Sequence, residues 1–203
     1  TGQPDGWYDR AGGWLMLRKD RLLERARLPL LGDHNVANAL AAGLIVRELG
    51  GSIAAMAAGL TSFRAIEHRV EPVREVDGVL WINDTKSTNV TSTEVAVTAL
   101  DRPFVLLLGG RHKGEPYTRL GPLLRERCRA VVAYGESGDL VEQDLRDAVK
   151  VVRAGSFEDV VKTAAGLAKS GDAVLLSPAC SSYDMFNNYE ERGATFRALV
   201  EAL

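Results

Sequence analysis

Three short segments of this chain carry side chains that bind anions, and each follows an apolar run typical of a buried strand. Residues 84–89 are Asp-Thr-Lys-Ser-Thr-Asn, residues 109–114 are Gly-Gly-Arg-His-Lys-Gly, and residues 177–182 are Ser-Pro-Ala-Cys-Ser-Ser. The third segment also leads into a predicted helix, whose amino end offers free backbone N–H groups to a carboxylate or phosphate. Loops at the carboxyl ends of such strands face one crevice, so the sequence predicts a single site for an anionic substrate.

Two of these segments place a cation beside hydrogen-bonding groups. In the first, Asp84 is suited to accept from ribose hydroxyls, Lys86 to face a phosphate, and Thr88 to donate to a carboxylate. The simpler alternative is a turn in which Ser87 or Thr88 caps the next helix. In the second, glycines let the backbone approach a ligand while Lys113 supplies the point charge that a carboxylate needs, and a merely flexible connection is the alternative.

The third segment contains a thiol whose role the sequence limits. Cys180 is predicted to fill space in the core, because a nucleophilic thiol needs a nearby base and the sequence places none. Ser181 and Ser182 are either site residues or caps of the following helix. Of the three histidines, only His112 lies on a loop predicted to face the site, which disfavours a Cys–His hydrolase. The histidines and cysteines also lack the spacing of a structural zinc site.

Two further positions carry groups suited to a nucleotide. Asn35 and Asn38 share one face near the amino end of a predicted helix. Two amides there suit recognition of a purine edge, because each presents a donor and an acceptor, whereas capping alone accounts for one Asn. Arg69, after His68 at the predicted domain junction, is suited to bind a phosphate, with an interdomain salt bridge as the alternative.

The hydrophobic pattern divides the chain near residues 63–71. Before that point the sequence predicts a strand at 14–17 in an antiparallel meander and two helices, the second capped by Ser52, with no complete sheet in this region. The predicted inner faces of the helices are formed by Val36, Ala39, Leu40, Gly43 and Leu44 in the first, and Ile53, Met56, Ala57 and Leu60 in the second.

From about residue 70 strands and helices alternate, which predicts an α/β fold: a Rossmann-like, mostly parallel sheet with helices on both faces. Asp77-Gly78 predicts a hairpin between strands at 73–76 and 79–82. Further strands are predicted at 104–108, 130–134, 149–152 and 173–176. Two helices have clear inner stripes, formed by Val160, Val161, Ala164 and Ala168 after a Ser156 cap, and by Phe196, Leu199, Val200 and Leu203 at the end.

Composition excludes several classes of protein. A net charge of −2 disfavours an electrostatic nucleic-acid surface, and two cysteines are too few for a disulfide framework. No apolar run approaches the roughly 20 residues of a membrane span. The G-x-G-x-x-G motif of a nicotinamide-dependent oxidoreductase is missing after the first strand, and so is its acidic partner.

Five segments, taken together, resemble the Mur ligases. They are DHNVANALAA at 33–42, HRVE at 68–71, WINDTKSTN at 81–89, LLGG at 107–110 with Lys113, and LSPACSS at 176–182. The resemblance covers nearly the whole chain in the family's order and spacing. Within the family, the third and last segments are similar to the MurD branch, which adds D-glutamate to UDP-N-acetylmuramoyl-L-alanine.

The resemblance implies an ATP-dependent ligation in bacterial peptidoglycan synthesis, which serves cell division and cell shape. ATP phosphorylates a substrate carboxylate, the D-glutamate amine attacks the acyl phosphate, and a tetrahedral intermediate loses phosphate. The residues implied for D-glutamate are Thr88, Lys113, Ser182 and the backbone around Tyr189, where the family often has Phe. Those implied for the nucleotide side are Asn35, Asn38, Arg69, Asp84 and Lys86. No catalytic residue is firmly assigned, and Lys86 and His68 are the candidates.

The chain departs from the family in one respect. Mur ligases hold ATP with a P-loop, G-x-x-G-K-[ST], and no Gly-Lys pair occurs in these 203 residues. Residues 1–67 are therefore expected to be the end of the central ATP-binding domain, and 68–203 the complete D-glutamate-binding domain. Mg²⁺ is expected as cofactor with its ligands outside the chain, so the isolated chain is expected to be inactive. The implied protein is a cytoplasmic monomer that acts on small molecules, and the alternative is a stand-alone module that binds an acidic metabolite or nucleotide without catalysis.

Overall fold

A computed structural model describes residues 4–203 of the chain. The chain consists of two compact units, Thr1–Ala65 and Ile66–Leu203. The boundary between them lies close to the position that the hydrophobic pattern predicts. Each unit has its own core of buried apolar side chains. Within residues 4–203, no helix is both long enough and apolar enough to span a bilayer.

The first unit consists of three antiparallel strands and two helices. The strands β1 (Gly6–Asp9), β2 (Trp14–Leu17) and β3 (Asp20–Glu24) form a sheet in that order. The expectation that this region has no complete sheet was therefore wrong. Leu15 and Leu17 point from alternate positions of β2 into the core, because side chains two apart share a face of a strand.

Two helices, α1 (Asp33–Glu48) and α2 (Ile53–Ser62), cover this core. The predicted inner faces are confirmed, since the named residues of both helices are buried or pack against the core. Ser52 caps α2 as predicted, because its hydroxyl accepts a hydrogen bond from the Ala55 N–H.

The second unit is a six-stranded sheet in the order β4-β5-β9-β6-β7-β8. All neighbouring strands are parallel except the hairpin β4–β5, which confirms the predicted α/β fold. The strands are β4 (Glu71–Val76), β5 (Val79–Asn83), β6 (Phe104–Gly109), β7 (Cys128–Tyr134), β8 (Val151–Arg153) and β9 (Ala173–Leu176). The helices are α3 (Val90–Thr98), α4 (Gly121–Leu124), α5 (Gly138–Leu145), α6 (Phe157–Leu167) and α7 (Tyr189–Glu201), with a 3₁₀ turn at Tyr117–Leu120.

The predicted local signals are confirmed with two corrections. Asp77 and Gly78 both have positive φ, as the two-residue turn of a tight hairpin requires. Strand β8 begins at Val151 rather than at residue 149. Leu203 is 47% exposed rather than buried, because α7 ends at Glu201. Its inner stripe is instead formed by Phe196 and Val200, with Leu199 partly buried against the same core.

Candidate functional site

Three loops meet at the carboxyl edge of the sheet because the strands that precede them are neighbours. We call residues 84–89 the β5 loop, 110–116 the β6 loop and 177–188 the β9 loop. Strand β9 lies between β5 and β6, so its loop contacts both others. The Ala179 N–H donates to Ser87 O at 2.9 Å, and Arg111 and Ser181 exchange two backbone hydrogen bonds at 2.9 and 3.2 Å. The predicted shared crevice therefore has a physical basis in the strand order.

Thr88 and Lys113, both predicted to bind a carboxylate, lie within hydrogen-bond distance of each other. The Lys113 ammonium donates to Thr88 Oγ1 at 3.2 Å. The hydroxyl of Thr88 is available for this contact because Asn89, not Ser87 or Thr88, caps α3 by accepting from the Ser92 N–H. An exposed ammonium beside a hydroxyl is suited to bind a carboxylate.

Ser182 lies in the β9 loop, and Tyr189 directly follows this loop as the first residue of α7. Ser182 is buried, and its carbonyl accepts hydrogen bonds from Met185 and Phe186. Tyr189 is the first residue of α7, and its carbonyl accepts from Thr85 Oγ1 at 3.1 Å. Neither Ser181 nor Ser182 caps the helix, because α7 begins only at Tyr189 and Asn188 caps it. The prediction of a helix start directly after the third segment was wrong.

The carboxylate of Asp84 is turned into the protein. Its Oδ1 accepts from the Val70 N–H at 3.1 Å and its Oδ2 from the Ser177 hydroxyl at 2.7 Å. Val70 has φ +43°, a strained conformation for a β-branched residue. Asp84 therefore holds in place the turn that carries the exposed Arg69. Burial raises the pKa of Asp84 to about 6, although the Ser87 and Ser177 hydrogen bonds oppose the shift.

We expect Asp84→Asn to raise the free energy of unfolding by about 2–3 kcal/mol near neutral pH, because ionised Asp84 is costly to bury. An amide preserves both hydrogen bonds, since its oxygen accepts from Val70 and its nitrogen donates to Ser177. The folded-state pKa lies above the unfolded one, so the stability gap is full above about pH 6 and closes as the pH falls toward about 4. Urea unfolding across this range, with exposed Asp101→Asn as control, measures the gap. Equal stability of variant and wild type near pH 7 would contradict it.

Lys86 and His68 both contact the Tyr189 ring. The Lys86 ammonium lies 3.8 Å from the ring centroid, in cation–π geometry. The His68 ring meets the same ring edge-on, with centroids 6.1 Å apart. His68 Nδ1 lies 3.1 Å from the amide nitrogen of Asn83, which can only donate, so Nδ1 is the acceptor in this contact. The aromatic ring of Tyr189 thus gathers both candidate catalytic side chains.

Asn35 and Asn38 belong to the first unit, in the first two turns of α1. The Asn35 amide donates to Leu31 O at 2.8 Å, and Gly32 occupies the cap position. Asn35 therefore ties the helix to the preceding loop, while Asn38 is exposed. Their predicted role in nucleotide binding stays a prediction.

Arg192 joins the β5 loop to the β9 loop, a contact that the sequence did not predict. It is fully buried (0% exposed). Its Nε donates to Thr85 Oγ1 at 2.8 Å, and its Nη2 donates to Thr85 O and Cys180 O at 3.0 and 3.2 Å. Among residues 4–203, no carboxylate forms a salt bridge with it. The available signal was its spacing, because Arg192 lies one turn before Phe196 on the apolar face of the last helix.

Cys180 is fully buried, as predicted for a residue that fills space. Burial raises the pKa of its thiol, which keeps it protonated and weakly nucleophilic. In the part of the chain that the structure describes, no group of three or more His, Cys, Asp or Glu side chains is arranged to hold a metal ion.

Sequence comparison relates the second unit to one family. Residues 68–180 match the domain described as Mur ligase, glutamate ligase domain. A protein of Salinibacter ruber named UDP-N-acetylmuramoylalanine--D-glutamate ligase is 48% identical over 185 residues, which cover 91% of this chain and 40% of the relative. A protein of the same name from Nitrosococcus oceani is 42% identical over 201 residues, or 98% of this chain and 44% of the relative. The chain thus spans about two fifths of the length of these curated relatives.

Structure comparison supports the fold. The UDP-N-acetylmuramate-alanine ligase MurC of Thermotoga maritima superposes with a TM-score of 0.65 at 15% identity, covering 93% of this chain and 42% of that protein. At this identity the likeness concerns architecture rather than substrate.

Proposed function

The chain belongs to the Mur ligase family, and from this premise we propose that it is the D-glutamate-binding part of a UDP-N-acetylmuramoyl-L-alanine:D-glutamate ligase. The observation that carries the proposal is the Lys113–Thr88 pair, which places a cation and a hydroxyl together between the β5 and β6 loops. Two relatives that are 48% and 42% identical to this chain are named for the same ligation.

The proposed reaction begins when ATP phosphorylates the carboxylate of UDP-N-acetylmuramoyl-L-alanine. The amine of D-glutamate then attacks the acyl phosphate, and the tetrahedral intermediate expels phosphate. In this scheme Lys113 neutralises a D-glutamate carboxylate, and Thr88, Ser182 and the backbone of Tyr189 supply further hydrogen bonds. A substrate held in this way has already lost translational and rotational freedom on binding. Its amine therefore loses less entropy when it attacks, which lowers the barrier.

Other residues are proposed for the nucleotide. Arg69 and Lys86 provide positive charge for phosphate groups. Asp84 acts through the turn at Val70, because its carboxylate oxygens accept from protein donors. For the first unit, we propose that Asn35 and Asn38 bind the base.

Mg²⁺ is the cofactor that this chemistry requires, and it would neutralise the phosphate charge. Residues 4–203 contain no cluster of ligands for it, so no step assigned to this chain passes through the metal. We propose that the P-loop and the metal ligands belong to sequence outside the chain, and that the 203-residue chain alone does not ligate. The complete protein is proposed to act as a monomer in the bacterial cytoplasm.

Isothermal titration of the 203-residue chain with D-glutamate, L-glutamate and an ATP analogue tests the proposal. We expect heat with D-glutamate but not with L-glutamate, and an affinity about 10- to 100-fold lower in Lys113→Ala, because a charge-assisted hydrogen bond is lost. Lys150→Ala is the control, because Lys150 is an exposed lysine directly before strand β8.

Two outcomes would contradict the proposal. If Lys113→Ala binds D-glutamate as well as the wild type, the assigned carboxylate site is wrong. D-glutamate-dependent turnover of ATP by the purified chain in a coupled assay would disprove the expected inactivity.

A further inference from the structure

Four side chains beneath the site form a continuous hydrogen-bonded chain. His112 Nδ1 lies 3.0 Å from the Tyr117 hydroxyl, which lies 2.7 Å from Cys180 Sγ. The same sulfur lies 3.4 Å from the Ser137 hydroxyl. This series of hydrogen bonds therefore links His112 in the β6 loop to Cys180 in the β9 loop through Tyr117.

Tyr117 is a fixed point in this arrangement. Its side chain is fully buried, and its backbone N–H donates to Asp144 Oδ2 at 2.9 Å. Burial raises the pKa of the Tyr117 hydroxyl, and Cys180 adds to the shift. The hydroxyl therefore keeps its proton, and it always has one hydrogen bond to donate.

The contact between His112 and Tyr117 closes the β6 loop on itself. The two rings are 5.2 Å apart between centroids, and their polar atoms are hydrogen-bonded across five positions of sequence. Lys113 lies inside this closed segment. It is followed by Gly114, which has a φ of +89°, a conformation that glycine adopts without strain. Without the closure, the backbone between Lys113 and the 3₁₀ turn has far more conformations to explore.

The Tyr117 hydroxyl is paired with both of its neighbours in this arrangement. It can donate to one of them and accept from the other, so His112 Nδ1 and Cys180 Sγ each have a partner through it. Removal of the hydroxyl leaves both atoms without that partner, and an unpaired buried polar group is costly.

We infer that Tyr117 is a positioning residue, whose buried hydroxyl fixes the place of Lys113 by closing the β6 loop and joining it to the β9 loop. The consequence of this positioning for binding rests on the proposed function, since Lys113 is the residue proposed to neutralise the D-glutamate carboxylate. The geometric part of the claim needs no ligand and is tested first.

The test compares Tyr117→Phe with wild type in the ligand-free 203-residue chain by NMR. We expect amide hydrogen exchange at Arg111 and Ser181, whose N–H groups are hydrogen-bonded to each other's carbonyls, to accelerate about tenfold, because one buried hydrogen-bonded hydroxyl is lost. Exchange in β6 and β7 should stay unchanged. The chemical shift of His112 Nδ1 should also change, because this nitrogen loses its hydrogen-bond partner on Tyr117. A general loss of stability would not produce that signature.

Tyr134→Phe is the matched control. Tyr134 is equally buried, and within residues 4–203 its hydroxyl has no hydrogen-bond partner. Removing it should leave loop exchange and the chemical shift of His112 Nδ1 as in the wild type. Unchanged amide exchange at Arg111 and Ser181 in Tyr117→Phe would overturn the inference.

Titration with D-glutamate then separates this inference from the proposed function. If wild type binds, Tyr117→Phe should bind about tenfold more weakly, and equal affinity would overturn the positioning role. If wild type shows no binding, the proposed function fails, while the exchange result still decides whether Tyr117 fixes Lys113.

Discussion

Arg192→Ala is expected to lower the free energy of unfolding by about 4 kcal/mol or more. The substitution removes a fully buried guanidinium together with the three hydrogen bonds that it donates. It leaves the carbonyls of Thr85 and Cys180 without this donor and opens a cavity beneath two site loops. Each buried group left unsatisfied costs about 1–3 kcal/mol, and the cavity adds to that sum.

Two other variants test whether the geometry of the guanidinium matters. Arg192→Lys keeps the charge but not the planar fork, so we expect it to restore only part of the stability. Arg119→Ala is the control, because Arg119 pairs with Glu94 at 2.9 Å but is about half exposed, and exposed pairs contribute about 1 kcal/mol or less. Urea unfolding gives all three values. A loss below about 1 kcal/mol in Arg192→Ala would show that the buried network is dispensable.

Gly109→Ala is expected to destabilise the fold by about 3 kcal/mol or more. Gly109 ends β6 with φ +152°, a conformation that L side chains rarely adopt. A Cβ there would overlap the carbonyl oxygen of Tyr134 and approach its carbonyl carbon to 2.9 Å. Tyr134 is the residue paired with Gly109 in strand β7. Neither backbone can move without breaking the parallel ladder, so the strain has no inexpensive relief.

A second glycine supplies the matched control for this prediction. Gly166 lies within α6, and a Cβ there meets no atom within 4 Å. Gly166→Ala should therefore stabilise the protein by about 0.5–1 kcal/mol through helix propensity. Thermal and urea unfolding of both variants give the comparison. A Gly109→Ala variant as stable as the wild type would mean that the end of β6 is more adaptable than the parallel pairing indicates.

The parts of the fold that were predictable depend on neighbouring residues. Asp77-Gly78 specifies its own turn, and Ser156 caps α6 through the N–H of Asp159, three positions along the chain. Unbroken apolar runs mark the central strands because both sheet faces are covered. In the site, these strands brought Thr88 and Lys113 together as expected from the edge that they share.

The parts that were not predictable depend on contacts between distant residues. Nothing local distinguishes Asn89 from Thr88 as the cap of α3. The hydroxyl of Thr88 is directed to Lys113, which lies 25 positions away. The length of the β9 loop escaped prediction because its Ser and Asn residues all favour caps. Arg192 escaped because a buried arginine needs partners from two other loops, and those partners are backbone carbonyls that no residue type announces.

The position of β9 in the sheet has a consequence for how the molecule is made. The last strand in sequence lies in the middle of the sheet, between β5 and β6, and its neighbours precede it by about 90 and 70 residues. While the ribosome is still synthesising the chain, these two strands lack their common partner, and the three loops at the carboxyl edge of the sheet have no shared edge. Contacts of such high sequence separation slow folding and expose strand edges meanwhile. The three loops can therefore come together only late in biosynthesis, after β9 has emerged from the ribosome.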